Sequence, residues 1–336
     1  MRRIVVSVLF AVLCVPALAA REKSYTVLSP DETIGITLAV GERCTYEVRV
    51  DGRTVVAPTP VSMTLGDGTV WGGSAQPFRI RKGTVDTSFA TPFYIKARVS
   101  DRYNWLRADF RPGFAIELRA YDDGVAYRFV SMTDKPLTVA SEEAGACFPG
   151  DWKCWVPYVR DCDGTEIVPF GSQFKTSFEN LYTVVRLSEL DPARLAFLPL
   201  VVVSDDGVKL CFTEADLQAY PGMYFNYPGQ GNSLRGIFAP YPKRTHDGGH
   251  DDLQNVVDEY DDFIAKASPR ASFPWRTILI AREDRRLLDN DMVMRLAEPS
   301  RLADISWIRP GLAAWEWWND WGLHGVGFEA GINTPT

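Results

Sequence analysis

The chain has 336 residues, of which 46% are hydrophobic and 24% charged, and its formal net charge is -7. That is enough apolar material for one large or two ordinary domains and too much for a disordered chain. The acidic balance, with no basic run, excludes nucleic acid and anionic membrane surfaces as expected partners.

Residues 1–20 read as a signal peptide. Arg2 and Arg3 supply the positive start, Ile4 to Val15 the apolar run, and Ala17-Leu18-Ala19 the small-residue cleavage site. Leu13 before Cys14 does not suit a lipobox, so the expected product is a soluble exported protein, periplasmic or secreted. No later stretch is long and apolar enough to span a bilayer. Cys44, Cys147, Cys154, Cys162 and Cys211 remain, an odd number without metal-knuckle spacing. They read as buried thiols, with room for one local bridge among Cys147, Cys154 and Cys162.

From Tyr25 to about Phe225 the chain alternates apolar and polar residues between turn signals. "TYEVRVDGRTVV" places Asp51-Gly52 between two β-rich runs, and "FAIELRAYDDGVAYRFV" does so around Asp123-Gly124, both hairpin signals. Many strands with little helical period between them predict a large antiparallel sandwich. Its expected core includes Tyr46, Val48, Ile116, Leu118, Ala126, Tyr127, Phe129, Leu198 and Leu200.

After about Asp251 the pattern changes. "DDLQNVVDEYDDFIAK" spaces Leu253, Val256, Val257, Tyr260 and Ile264 at helical intervals and predicts a helix. "FPWRTILIA" reads as a buried strand and "RRLLDNDMVMRLAE" as a second helix. "ISWIRPGLAAWEWW" then leads into a strand of small and aromatic residues, with Trp315, Trp317, Trp318 and Trp321 clustered at its end.

Six stretches, in order, resemble glycoside hydrolase family 97, an exported α-glucosidase and α-galactosidase family: "LSPD" at 28–31, "YDDGVAYRF" at 121–129, "FLPLVVVSDDG" at 197–207, "TEADLQAYPGMYF" at 213–225, "FPWRTILIA" at 273–281 and "WIRPGLAAWEWWND" at 307–320. The resemblance implies a mutarotase-like β-super-sandwich at 21–265, a linker strand and helix at 266–302, and the start of a catalytic (β/α)8 barrel at 303–336. It also implies that the barrel is incomplete in this sequence. A glycosidase of this kind needs one carboxylic acid and one carboxylate flanking the scissile bond, and barrel enzymes mount such groups on several strands. No position here matches the family's catalytic carboxylates.

One metal ligand carries over by resemblance: Glu179 in "FENLYTVVRLSEL", expected to join barrel glutamates around Ca2+, which takes six to eight oxygens. The plain alternative is an exposed strand glutamate. Trp317 and Trp318 fall where the first barrel strand ends and, with Asn319 and Asp320, are candidates for contact with an oligosaccharide or glycoside substrate; core packing is the alternative. Arg276 reads as half of a structural ion pair, and Glu214 and Asp216 as residues holding the turn before "YPGM". "THDGGHDD", with His246 and His250 among Asp247, Asp251 and Asp252, reads as a glycine turn before a helix cap more readily than as a metal site. The leading expectation is the N-terminal part of a calcium-dependent glycoside hydrolase, inactive by itself. A carbohydrate-binding sandwich without catalysis is the alternative, and an aldose epimerase is disfavoured because all three histidines lie outside the sandwich strands.

Overall fold

A computed structural model of the chain describes residues 22–74, 76–159, 169–175, 180–249 and 252–312. They are overwhelmingly β, with every sheet antiparallel. Two compact units are present, residues up to Phe89 with Val99–Ala297, and Ala90–Arg98 with the chain from Glu298 onward.

Among the described residues, the first large sheet has seven strands in the order Lys23–Leu28, Ile34–Val40, Cys44–Val50, Arg53–Pro60, Gly145–Cys147, Ser233–Phe238 and Met223–Asn226. The second has nine, in the order Thr183–Arg186, Lys153–Val156, Leu200–Val203, Lys209–Ala215, Trp275–Ala281, Gly124–Ser131, Phe114–Tyr121, Arg98–Phe110 and Pro77–Ala90. Period-two alternation explains their facing: Ile36, Leu38, Tyr46 and Val48 of the first sheet share one core with Ile116, Leu118, Tyr127 and Phe129 of the second. The Tyr46 and Tyr127 rings meet across it with centroids 4.9 Å apart. Of the expected core residues only Leu198 is less than fully buried. Ala126 points away from this core, into a second cluster on the outer face of the nine-stranded sheet.

The Asp51-Gly52 hairpin forms as expected, with both residues at positive φ (49° and 79°), the geometry of a type I′ turn. The second Asp-Gly pair sits one position off. Asp122-Asp123 make the turn, while Gly124 already pairs with Tyr121. A Cβ on Gly124 would lie 2.5 Å from the Ile278 carbonyl, so the glycine permits the neighbouring strand to approach.

Two expectations need correction. The segment read as a helix over 251–266 contains instead the strand Gln254–Tyr260, paired with Pro242–Gly248 as a two-stranded ribbon. Its apolar spacing is not a buried stripe, since Leu253 is 82% exposed. Adjacent β-branched Val256 and Val257 favour extension, and cross-strand pairs hold it: Arg244 reaches Asp258 and Glu259, each at 3.0 Å. Trp275–Ala281, read from sequence as part of a linker, lies inside the nine-stranded sheet, between Lys209–Ala215 and Gly124–Ser131. All seven of its residues are buried because both faces are covered: Ile278 and Ile280 enter the main core, while Trp275 and Leu279 meet Met292 and Leu296.

The second expected helix exists as two short pieces, Arg285–Leu288 and Met292–Leu296. Asn290 separates them, accepting from the Met292 amide (2.9 Å) and donating to the Asp123 carbonyl (3.0 Å). Residues 303–312 form no strand, and the remainder of the expected barrel start lies outside the described residues.

Candidate functional site

Glu179, Trp317, Trp318, Asn319 and Asp320 all lie outside the described residues. The chain on either side of Glu179 is described, and it is pinned. In the short 3-10 turn Phe170–Lys175, fully buried Gln173 donates to the Ala193 carbonyl and accepts from the Leu195 amide, both at 2.7 Å. Phe174 packs edge-on against Tyr224 with centroids 5.3 Å apart, and Lys175 donates to the Val257 carbonyl at 3.2 Å. Past Glu179, Asn180 donates to the carbonyls of Tyr158 (3.3 Å) and Val159 (3.1 Å). The described residues that flank 176–179 are thus anchored on both sides. Beside them Leu181 is 93% exposed, and Tyr182 and Val184 at the sheet edge are also open, an apolar rim unusual for a sheet end facing water.

The deepest ionic cluster is centred on Arg276, inside the sandwich. Its Nε and Nη2 donate to Glu142 (2.8 and 2.6 Å), and its Nη1 donates to Glu214. Glu142 also accepts from the Tyr220 hydroxyl, and Glu214 from the Met223 amide, each at 2.8 Å. None of the three charged side chains is more than 10% exposed. Burial pushes the Glu214 carboxyl above its ordinary value although Arg276 pulls the other way. Arg276 is raised in turn: burial opposes its charge, and Glu142 with Glu214 outweighs that. A cluster so enclosed and so fully bonded has no free group for a substrate. It staples Leu137–Glu143 and the Met223 turn to the central strand, the structural role expected of Arg276 and Glu214. Asp216 sits at the turn with φ 57° and accepts from Gln218 at 2.6 Å.

Of the histidine segment, Thr245 to Gly248 belong to the exposed ribbon. His246 Nδ1 lies 3.0 Å from Asp258, while His250 and Asp251 lie outside the described residues. Among the described residues no three His, Cys, Asp or Glu side chains converge in a metal-binding arrangement. Cys44, Cys147, Cys154 and Cys211 are free thiols, and Cys162 lies outside the described residues. Burial pushes Cys44 and Cys154 up to about 12 and Cys211 to about 11, which makes them inert packing groups. Sequence reasoning missed Glu142, since its partner Arg276 is 134 residues away; the charged pair in "SEEAGA" on an alternating strand was the available signal.

Comparison with known proteins fits this architecture. The chain is 44% identical over 328 residues to a retaining alpha-galactosidase of Bacteroides thetaiotaomicron, an alignment covering 98% of this chain and 49% of that protein. A probable retaining alpha-galactosidase of Streptomyces bingchenggensis is 23% identical over 306 residues, covering 89% of this chain and 42% of its own length. The chain therefore spans about half the length of the curated relatives it matches. Among solved structures, a glycoside hydrolase family 97 enzyme in complex with acarbose, from Pseudoalteromonas sp. strain K8, superposes with a TM-score of 0.68 at 20% identity, over 85% of this chain and 40% of that one. The same enzyme as an E480Q variant in complex with panose gives the same values. At that identity the likeness concerns the fold. The N-terminal domain of the glycosyl-hydrolase 97 family matches residues 27–299, and the chain belongs to that family.

Proposed function

We propose that this chain is the N-terminal part of an exported, calcium-dependent glycoside hydrolase that cleaves α-galactosides or α-glucosides, with α-galactosides favoured. The observation that carries the reading is the 44% identity to a retaining alpha-galactosidase across 98% of the chain. Structural neighbours in complex with acarbose and panose support an oligosaccharide substrate. Residues 1–20 supply export to the periplasm or beyond. A retaining mechanism needs a nucleophilic carboxylate and a second carboxyl acting first as acid and then as base. Neither is assigned to this chain, and by family resemblance both are expected from a barrel portion beyond the matched half. In this reading the sandwich contributes Glu179 as one oxygen donor to Ca2+. Trp317 and Trp318 offer an indole face to the sugar ring and Asn319 a hydrogen-bonding edge.

Calcium tests this reading. One carboxylate leaves most of six to eight coordination positions to water, so millimolar Ca2+ should scarcely shift the melting temperature of the 336-residue polypeptide. Joined to a complete barrel, the chain should be stabilised by about 2.7 kcal/mol at a hundredfold excess over Kd, and Glu179→Gln should remove that gain. A calcium-dependent rise that survives Glu179→Gln would place the metal elsewhere and sink the assignment.

A further inference from the structure

The outer face of the nine-stranded sheet carries a second cluster of charged and aromatic groups. Strand pairing sets Trp105 opposite Arg119, Arg107 opposite Glu117, and Glu117 opposite Arg128. With Arg81, Tyr103 and Trp275 they line an open cleft of about 280 Å3. That is just under the roughly 300–1,000 Å3 of sites for drug-sized ligands and suits a single sugar ring.

Three of the four guanidinium groups here are matched to carboxylates. Glu117 accepts from Arg107 and Arg128, each at 2.8 Å. Asp109 accepts from Arg107 at 2.7 Å and from Arg81 at 3.1 Å, and Asp216 lies 3.7 Å from Arg128. Consistent with this, the charges of Arg128 and Arg107 hold the Glu117 carboxyl below its ordinary value although burial, the largest influence, raises it. Arg119 is different. Among the described residues it forms no ion pair within 4 Å, and its hydrogen bond is a long one, 3.4 Å to the Tyr121 hydroxyl. Its Cζ lies over the Tyr103 ring at 4.5 Å and over the Trp275 ring at 4.7 Å. Asp101, on the same face, has its carboxyl raised by burial although Arg119, Arg295 and a hydrogen bond to Tyr121 pull the other way, and its Oδ1 makes no hydrogen bond. Aromatic rings cover a guanidinium without using its N–H fork, which stays available to a planar two-oxygen acceptor. Trp105 stands across from it, half-buried, with its indole so close to Gly83 that a Cβ there would come within 2.8 Å of the ring.

We propose that this cleft is a binding site for a sugar ring bearing one carboxylate, a uronic acid unit, with the carboxylate on the Arg119 fork and the ring against Trp105. The proposal does not rest on the hydrolase reading, because binding requires no turnover. Its sense for a glycan-degrading protein is to hold an acidic unit of a branched substrate.

The test is calorimetric titration of the purified protein with methyl α-galacturonoside, methyl α-galactoside and acetate. The galacturonoside should bind in the millimolar range or tighter, and acetate, which has the charge without the ring, at least about tenfold more weakly. Arg119→Met should weaken galacturonoside binding by at least about tenfold and leave any galactoside binding unchanged. Arg119→Lys keeps the cation and loses the fork, so it should fall between the two and covers the case in which Arg119→Met fails to fold. Galacturonoside binding no tighter than acetate, or unchanged in a folded Arg119 variant, would overturn the proposal. Loss of galactoside and galacturonoside binding together would also overturn it, by showing a general disturbance instead of a carboxylate site.

Discussion

Arg276→Met is expected to destabilise the sandwich by about 3–5 kcal/mol, the cost of leaving buried carboxylates without their counter-charge. Glu142 and Glu214 would then face each other inside the core, with Tyr220 and one backbone amide as their remaining donors. Glu142→Gln should cost less, because Arg276 keeps Glu214 and the amide oxygen still accepts from Tyr220. Urea unfolding followed by tryptophan fluorescence would show the difference as a fall in midpoint at constant slope. A loss under about 1 kcal/mol for Arg276→Met would mean that the cluster is solvated in a way its exposure of 5% or less on Arg276 denies.

Phe114→Ala should cost a similar amount, about 3–5 kcal/mol, by a different route. Phe114 is fully buried and stacks on Phe110 at 4.7 Å and on Trp71 at 5.3 Å, with Phe129 at 6.2 Å. Trp71 belongs to the small sheet of Ser62–Leu65, Val70–Trp71, Leu137–Glu143 and Ala265–Ala267, so the ring joins that sheet to the nine-stranded one. Removing it leaves a cavity between rigid strands that cannot collapse to fill it. Phe114→Leu keeps most of the volume and should cost less than about 1.5 kcal/mol. Equal losses for the two variants in thermal unfolding would argue that the aromatic stack, and not the volume, is what matters.

Much of this fold is legible in the sequence because strand alternation is a local signal. Ile116 and Leu118, or Tyr127 and Phe129, announce their face at once, and the structure buries them. The ribbon Gln254–Tyr260 was misread because Val256, Val257 and Tyr260 satisfy a helical spacing as easily as a strand one. Exposure, which decides between them, is a tertiary property. The outer-face cleft was missed for the opposite reason. Arg107, Glu117, Arg119 and Arg128 are the polar members of alternating strands, normally discounted as facing water, and only the sheet order 124–131, 114–121, 98–110 brings them side by side. Likewise Glu142 and Arg276 are joined by topology alone. Glu179 and the tryptophans are candidates by family resemblance alone, without any such geometry.

The proposal that these residues are the sandwich of an α-galactoside-cleaving enzyme, whose catalytic pair a barrel supplies, meets its sharpest check in a fusion. The 336 residues would replace the matching half of the Bacteroides thetaiotaomicron relative, 49% of that protein, and turnover of an aryl α-galactoside would be measured beside the unfused 336-residue polypeptide. The fusion should turn the substrate over and the polypeptide should not. A folded fusion that is inert while its parent is active, or turnover by the unfused polypeptide, would refute the proposal.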